Sequence, residues 1–146
     1  MREYCKKDAC GGMPLKNWKE GAWIFSIGAL GYMLLELLWR RRTHWTMGIA
    51  GGVCFSVLYD WYNRYPSVRF LDKCVAGSLL ITVVELFTGL LVNRVHHWNV
   101  WDYSALPFQL FGQICLRYSL YWAVLSGALV KPCEGLKRMV LRRAGR

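Results

Sequence analysis

Several features that mark soluble enzymes and nucleic-acid-binding domains are scarce or missing in this chain. Acidic residues are few, with 9 Asp and Glu against 19 Lys and Arg, which gives a net charge of +10. In a soluble protein that charge would suggest a nucleic-acid partner, but no RNA- or DNA-binding motif is present. A Walker A motif for ATP hydrolysis is missing as well. We therefore expect no nucleic acid among the partners.

Patterns of metal ligands and of catalytic groups are also lacking. Cys5 and Cys10, in CKKDAC, fit poorly with the closer spacing of zinc ligands. Cys54, Cys74 and Cys115 fall in or beside apolar runs, where cysteine behaves as a small hydrophobic residue. No spacing typical of a nucleophile and its base is visible. The sequence predicts no metal site, no cofactor and no enzymatic activity.

What the chain does contain is apolar surface, with 55% hydrophobic and 15% aromatic residues. A membrane-spanning helix needs about 20 apolar residues, and helices satisfy their own backbone hydrogen bonds in lipid. Four runs approach that length: 22–39, 45–61, 74–92 and 108–130. They predict an all-α, polytopic membrane protein with four transmembrane helices. The domain organisation would be a basic N-terminal segment (1–21), a transmembrane domain (22–130) and a basic tail (131–146).

The distribution of basic residues predicts the orientation. Lys and Arg are concentrated in the N-terminal segment, in the loop between the second and third runs, and in the tail. By the positive-inside rule both termini then lie in the cytoplasm, and the polar first 21 residues predict no cleavable signal peptide. The run Arg40–Arg42 is an exception, since this topology exports it. Snorkelling of the side chains to headgroups and an anion-attracting rim both remain open as explanations.

A weak internal similarity relates the two halves of the chain. Glu36 corresponds to Glu85, and His44-Trp45 corresponds to His97-Trp98. This pattern suggests a duplicated two-helix hairpin whose halves have the same orientation. If so, both glutamates lie toward the outer ends of their helices, and both His-Trp loops cover the same face.

Polar residues recur at helical spacing inside the apolar runs. Gln109, Gln113 and Arg117 are each four residues apart and would share one face of a fourth helix. A charged side chain at the membrane centre costs about 2.5–3.5 kcal/mol on insertion scales and usually finds a partner inside the bundle. We therefore predict that Arg117 faces Glu85, with Glu36 as the competing partner.

Two interpretations of this cluster remain open: it either fixes helix packing or lines a binding site for a polar solute or ion. The second interpretation is slightly favoured, because two buried acids would share one buried base. The candidate substrate- or ion-binding residues are Glu36, Glu85, Asn93, Gln109, Gln113 and Arg117. The candidate gate residues in the outer loops are Arg40, His44, Trp45, His97, Trp101, Asp102 and Tyr103.

Four stretches carry a family resemblance: THWTMGIAGG (43–52), Glu85 with Gly89 and Asn93, VWDYS (100–104) and FGQIC (111–115). Together they resemble the bacterial family described as putative ABC-transporter type IV, over about residues 22–130. The resemblance implies a small integral protein of the bacterial cytoplasmic membrane and a role in transport. The family's motif positions fall on Glu36, His44, Trp45, Gly51, Gly52, Glu85, Asn93, Trp101, Asp102, Tyr103, Pro107, Gly112 and Gln113.

Three functional hypotheses follow. The first is a small transporter, acting as a homo-oligomer or with a partner membrane or ATPase subunit, and surrounded by membrane lipids. The second is a membrane scaffold or accessory protein whose buried charges only fix packing. The third, a membrane enzyme acting on lipid phosphates through Arg40–Arg42 and His44, lacks a recognisable catalytic spacing.

Overall fold

Residues 18–144 fold into four α-helices and one short β-hairpin. The computed structural model describes residues 18–144, with side chains to residue 140, so most of the predicted N-terminal segment and CKKDAC lie outside the described residues. The helices are α1 (Trp18–Arg40), α2 (Trp45–Arg64), α3 (Phe70–Gly89) and α4 (Leu116–Ala144). A π-helical segment, Leu90–Val95, continues α3, and strands β1 (Gln109–Leu110) and β2 (Ile114–Cys115) precede α4.

α1, α2 and α3 confirm that the first three apolar runs are helical. The predicted start of the fourth helix at residue 108 is wrong. Gln109 pairs with Cys115 across an antiparallel hairpin, and α4 begins only at Leu116. Phe108, Phe111 and Gly112 have φ angles of 53°, 55° and 69°, which a right-handed helix does not allow. At its other end α4 continues past Val130 to Ala144.

The helices form two antiparallel pairs, α1 with α2 and α3 with α4, each with extensive contact along its length. Glycines allow this close approach. A Cβ added at Gly28 would overlap the side chain of Phe55 and lie 2.9 Å from the carbonyl oxygen of Gly51. A Cβ added at Gly77 would lie 2.5 Å from Ser126 Oγ. α1 makes only sparse contact with α3 and α4, which leaves space between the pairs.

One face of α3 is buried, and the remaining faces expose large apolar side chains. The buried positions recur every fourth residue, at Lys73, Gly77, Ile81, Glu85 and Gly89. The exposed ones include Leu79, Val83, Phe87 and Leu91. In water such a helix would have polar residues on its outer faces. The pattern therefore fits a helix surrounded by lipid.

Two helices are long and apolar enough to cross a membrane: Trp18–Arg40 and the continuous helix Phe70–Val95. Only 17% and 33% of their most apolar stretches are buried, so most of that apolar surface faces outward. α2 and the basic α4 do not meet the same criterion in the described part of the chain. That all four helices span a membrane stays a prediction.

A buried tyrosine ties the two pairs together at the end that carries the 65–69 loop. Tyr62 is fully buried, and its hydroxyl lies 3.2 Å from the Ser126 carbonyl oxygen and 3.3 Å from that of Lys73. Lys137 Nζ donates to the Asn63 carbonyl oxygen at 3.0 Å. We call this the basic end. The other end carries residues 41–44 and 96–115, and we call it the loop end.

Candidate functional site

Five residues at the loop end form a connected polar group, which we call the loop-end network: Glu36, Arg40, Glu85, Tyr103 and Trp122. Glu85 accepts two hydrogen bonds, from Tyr103 Oη to Oε1 and from Trp122 Nε1 to Oε2, both at 2.9 Å. Arg40 Nη2 donates to Tyr103 Oη at 2.6 Å. The network therefore links α1, the 96–108 loop, α3 and α4 through side chains.

Arg40 supplies the positive charge of this network. Its Nε lies 3.9 Å from Glu36 Oε1, a long ion pair. Its guanidinium carbon lies 5.4 Å from the ring centroids of both Tyr103 and Tyr118, within the range of cation–π attraction. These two rings stack on each other with centroids 4.6 Å apart. The aromatic pair thus holds the arginine together with the long ion pair to Glu36.

Tyr103 is the junction of the network, because its hydroxyl both accepts and donates. The residue is 5% exposed. Burial, and after it the nearby charge of Glu85, raise the pKa of the Tyr103 hydroxyl above its usual range. The hydroxyl therefore stays protonated at neutral pH and remains able to donate to Glu85.

The structure brings Glu36 and Glu85 together with Arg40, but the predicted pairing of Arg117 with Glu85 or Glu36 is wrong. Arg117 is exposed, and its Nε donates to Tyr121 Oη at 3.3 Å on the same helix. The cause is the late start of α4: the hairpin removes Gln109 and Gln113 from the helix and changes the register on which the pairing depended. The base of the network is Arg40, which we predicted only as a gate residue.

Gln109 and Gln113 lie on the β-hairpin rather than on one helical face, so that prediction is also wrong. Gln109 is exposed, and its Oε1 accepts from the Gly112 amide within the hairpin turn at 2.6 Å. Gln113 is buried, and its Oε1 accepts from Asn93 Nδ2 at 2.7 Å. The two side-chain amides therefore stabilise the conformation of the loop and do not lie side by side in one binding site.

Asn93 holds the loop against α3. Its Nδ2 also donates to the Trp101 carbonyl oxygen at 3.0 Å, and its Oδ1 accepts from the Val100 amide at 2.7 Å. Trp101 Nε1 in turn donates to the Gln113 carbonyl oxygen at 3.0 Å. Gly89 makes room for this group, since a Cβ there would lie 2.5 Å from Gln113 Oε1. Asn93 thus has all of its polar atoms occupied by the protein.

The two His-Trp loops meet at the loop end, as the internal similarity predicts. His44 and Trp98 have ring centroids 5.3 Å apart, and Trp45 and Trp98 lie 5.9 Å apart. His44 is the N-cap of α2, with Nδ1 accepting from the Thr46 amide at 3.4 Å. His97 is exposed and has a φ of 55°. His96, which we did not select, is the histidine that stacks on Trp98.

Asp102 is exposed and caps a turn. Its Oδ1 accepts from the side-chain hydroxyl and from the backbone amide of Ser104. These two hydrogen bonds, the hydroxyl's first, lower the pKa of the Asp102 carboxyl. Asp102 therefore carries a negative charge at the surface of the loop, while the neighbouring Tyr103 points inward.

An apolar cavity of about 290 Å³ lies between the two helix pairs, beneath the loop-end network. Its lining includes Gly31, Leu35, Met47, Ile81 and Leu129, and Glu85 is the one carboxylate among the residues that line it. A second space, also about 290 Å³, opens between α1 and α4 and is lined by Glu36, Arg40, Tyr118 and Tyr121. We call the first the interhelical cavity and the second the side cleft. The network lies where the two meet.

The fold and this site define a class: an α-helical, membrane-associated protein with a polar group buried at one end of its helices. A family described as "Putative ABC-transporter type IV" matches residues 22–143, and the chain belongs to this family. The resemblance stated from the sequence is thus confirmed. No curated protein and no solved structure matches the chain.

Sequence reasoning missed Trp122, which completes the network from α4, and Tyr118, whose ring stacks on Tyr103. Their spacing of four residues places them on one face of a helix. This signal can be used only when the start of α4 at Leu116 is known. Glu36 and Arg40 have the same spacing and form the i, i+4 ion pair of the network. Tyr32, one turn before Glu36, donates to Glu36 Oε1 at 3.2 Å.

Proposed function

We propose that this chain is a multi-pass membrane component of a transport system in the bacterial cytoplasmic membrane, with four membrane-crossing helices and both termini in the cytoplasm. The family and the two apolar helices support the membrane part of this proposal. The basic end supports the orientation, because Arg64, Arg69 and Lys137 lie on the side that the positive-inside rule assigns to the cytoplasm.

The observation that carries the transport role is the position of Glu85 at the boundary of the interhelical cavity. Ionisable groups inside membrane-spanning segments are rare, and they mark ion paths and proton relays. Glu85 is hydrogen-bonded by two neutral donors rather than by a cation. A carboxylate held in this way is able to accept a proton or a cation without first breaking an ion pair.

Tyr103 gives the network a means of opening. Its hydroxyl joins Arg40 on α1 to Glu85 on α3, so movement of the 96–108 loop would separate the two. The gate is therefore Tyr103 with Arg40, and the substrate- or ion-binding group is Glu85 with Glu36. Asn93, Gln113 and Trp101 anchor the loop.

Four helices enclose little volume, so the proposal includes a second copy of the chain or a partner subunit. No Walker A motif is present in the sequence. The energy source is then an ion gradient or an ATPase subunit that associates with the basic cytoplasmic surface.

Proton flux into liposomes tests this function. The purified protein is reconstituted into liposomes loaded with a pH-sensitive dye, and a pH gradient is imposed. We expect the wild type to dissipate the gradient faster than empty liposomes do, and Glu85→Gln to return the rate to that of empty liposomes. Asp60→Asn is the matched control, because Asp60 forms only a surface pair with Arg64 at the basic end.

The result that would overturn the proposal is a wild-type rate equal to that of empty liposomes, both for protons and for sodium or potassium ions. Lower thermal stability of Glu85→Gln in detergent would then assign the network to helix packing alone. Circular dichroism of each variant ensures that the rates compare folded proteins.

A further inference from the structure

The interhelical cavity and the side cleft form one amphipathic space. Leu35, Trp122 and Leu125 line both of them, so the two volumes adjoin. The interhelical cavity is bounded by aliphatic and aromatic side chains almost throughout, and it extends from Trp101 at the loop end to Leu136 toward the basic end. The side cleft contains the cation Arg40. An apolar space that ends at a cation suits a molecule with a long apolar chain and an anionic head.

We propose that this space binds an anionic phospholipid, with one acyl chain in the interhelical cavity and the phosphate beside Arg40. The proposal goes beyond transport, because it concerns binding alone and holds whether or not the protein moves ions. Each space, at about 290 Å³, is close to the lower limit of about 300–1,000 Å³ for ligand pockets. Together the two spaces exceed that limit.

Arg40 has donors left for a phosphate. A guanidinium carries five N–H groups, and in the described residues Arg40 uses one of them for Tyr103 Oη and approaches Glu36 only at 3.9 Å. The planar fork of arginine binds phosphate oxygens in pairs. The Arg40 side chain is 22% exposed, so a headgroup is able to reach it from the side.

The charges around the side cleft favour an anionic rather than a cationic head. Arg41 and Arg42 follow Arg40 and are exposed, so three arginines are next to one another at the end of α1. Glu36 is the opposing carboxylate, and it already accepts from Tyr32. Glu85 adds a second carboxylate, so three arginines stand against two glutamates. The excess charge at the mouth is therefore positive.

Gly31 shows that the apolar part of the space is open. It lines the interhelical cavity, and a Cβ added there would meet no atom within 4 Å. Gly31 is exposed, so the cavity opens to the outside beside it, and a leucine at this position would occupy that opening without displacing the backbone. Gly135 on α4 has equally open surroundings and does not line the cavity, which makes it a matched control.

Native mass spectrometry of the protein in detergent, with added phosphatidylglycerol or phosphatidylcholine, tests the proposal. We expect one phosphatidylglycerol to remain bound to the wild type, with a preference over phosphatidylcholine of about tenfold. Gly31→Leu should lower retention about tenfold or more, whereas Gly135→Leu should match the wild type. Equal retention by wild type and Gly31→Leu would overturn the proposal, as would equal binding of the two lipids.

A second measurement needs no variant and separates this site from annular lipid. Phosphatidylglycerol with a photoreactive group at the end of one acyl chain is cross-linked to wild-type protein in liposomes, and the adducts are mapped by mass spectrometry. The site predicts adducts near Gly31 and Leu129. Adducts confined to exposed residues such as Leu79 and Phe87 would contradict it, and a second copy of the chain in the cleft would appear instead as a protein–protein cross-link.

Discussion

At the scale of single residues, the loop end depends on how hydrogen bonds stabilise the buried carboxylate of Glu85. A buried charge loses its hydration and is tolerated only when donors or countercharges replace the lost water. Glu85 has two donors, from Tyr103 and Trp122, and Arg40 is one residue further along the network through Tyr103. The phenol hydroxyl is therefore the atom whose removal affects most partners at once.

Replacing Tyr103 by phenylalanine removes that hydroxyl and keeps the ring that stacks on Tyr118. We expect Tyr103→Phe to lower the free energy of unfolding by about 1–3 kcal/mol, because Glu85 and Arg40 each lose a buried partner. Chemical unfolding in detergent micelles, followed by circular dichroism, measures this change. Tyr121→Phe is the control, since it removes only a bond to exposed Arg117. Equal effects of the two substitutions would mean that the network contributes nothing particular to stability.

Asp102, next to Tyr103 in the loop, makes a pH-dependent contribution to the stability of the folded protein. Hydrogen bonds from Ser104 lower the pKa of its carboxyl, so the folded state binds the proton less readily than the unfolded state. This contribution is fully present at neutral pH and is lost as the pH falls below the ordinary Asp value of about 3.9, through the lower pKa of the folded state. In a carbon-13 NMR titration we expect a midpoint below about 3.9 that rises in Ser104→Ala. An unchanged midpoint in Ser104→Ala would contradict the assigned cause.

The sequence identified most of the network but not which arginine is its base. Glu36, Glu85, Arg40 and Tyr103 were all predicted as site residues, because charged and aromatic groups stand out in apolar runs. The choice of Arg117 followed from a helical spacing that assumed one continuous helix from residue 108. The four-residue spacing of Tyr118 and Trp122 did not set them apart, since aromatic residues are common at membrane interfaces and the start of α4 was misplaced.

At the scale of secondary structure, the first three apolar runs form helices as predicted, and α1 and α3 with its continuation are also long and apolar enough to cross a membrane. The β-hairpin was not predicted, since its positive φ angles fall on Phe108 and Phe111 as well as on Gly112. Only the glycine is a recognisable signal for such a conformation. The hairpin depends instead on contacts made far away in the chain, such as that of Gln113 with Asn93.

Two glycines three residues apart on α1 test how closely α1 packs on α2. A Cβ at Gly28 would overlap Phe55, whereas a Cβ at Gly31 would meet nothing within 4 Å. We expect Gly28→Ala to destabilise the protein by about 1–3 kcal/mol through overpacking. Gly31→Ala should be neutral or stabilising by up to about 1 kcal/mol, since alanine favours the helix. Thermal unfolding in detergent compares the two, and a reversed order would show that α1 packs through another face.

At the scale of the whole molecule, the two ends differ in the groups they expose. The loop end carries the loop-end network and the His-Trp cluster, and the basic end carries Arg64, Arg69 and Lys137. The predicted topology places the loop end outside and the basic end in the cytoplasm. The sequence predicts this arrangement through charge alone, whereas the way in which the pairs of helices separate around a cavity depends on packing that no local pattern reveals.

Cysteine labelling in intact cells tests the orientation. In a background without other cysteines, His97→Cys should react with a membrane-impermeant maleimide added outside, because His97 is exposed at the loop end. Arg69 is exposed at the opposite end, so Arg69→Cys should react only after the cells are permeabilised. The reverse pattern would invert the topology, and labelling of both positions from outside would show that α3 and its continuation, which separate them, do not span the membrane.

The structure places Glu85 and Tyr103 in direct contact inside the protein, and this contact joins the loop to the helices. A double-mutant cycle with Glu85→Gln and Tyr103→Phe, measured by chemical unfolding in micelles, tests whether the two side chains interact. We expect a coupling energy of about 0.5–3 kcal/mol, and additivity within about 0.5 kcal/mol for the remote pair Tyr103→Phe and Asp60→Asn. Additive effects of Glu85→Gln and Tyr103→Phe would show that the two side chains do not stabilise each other.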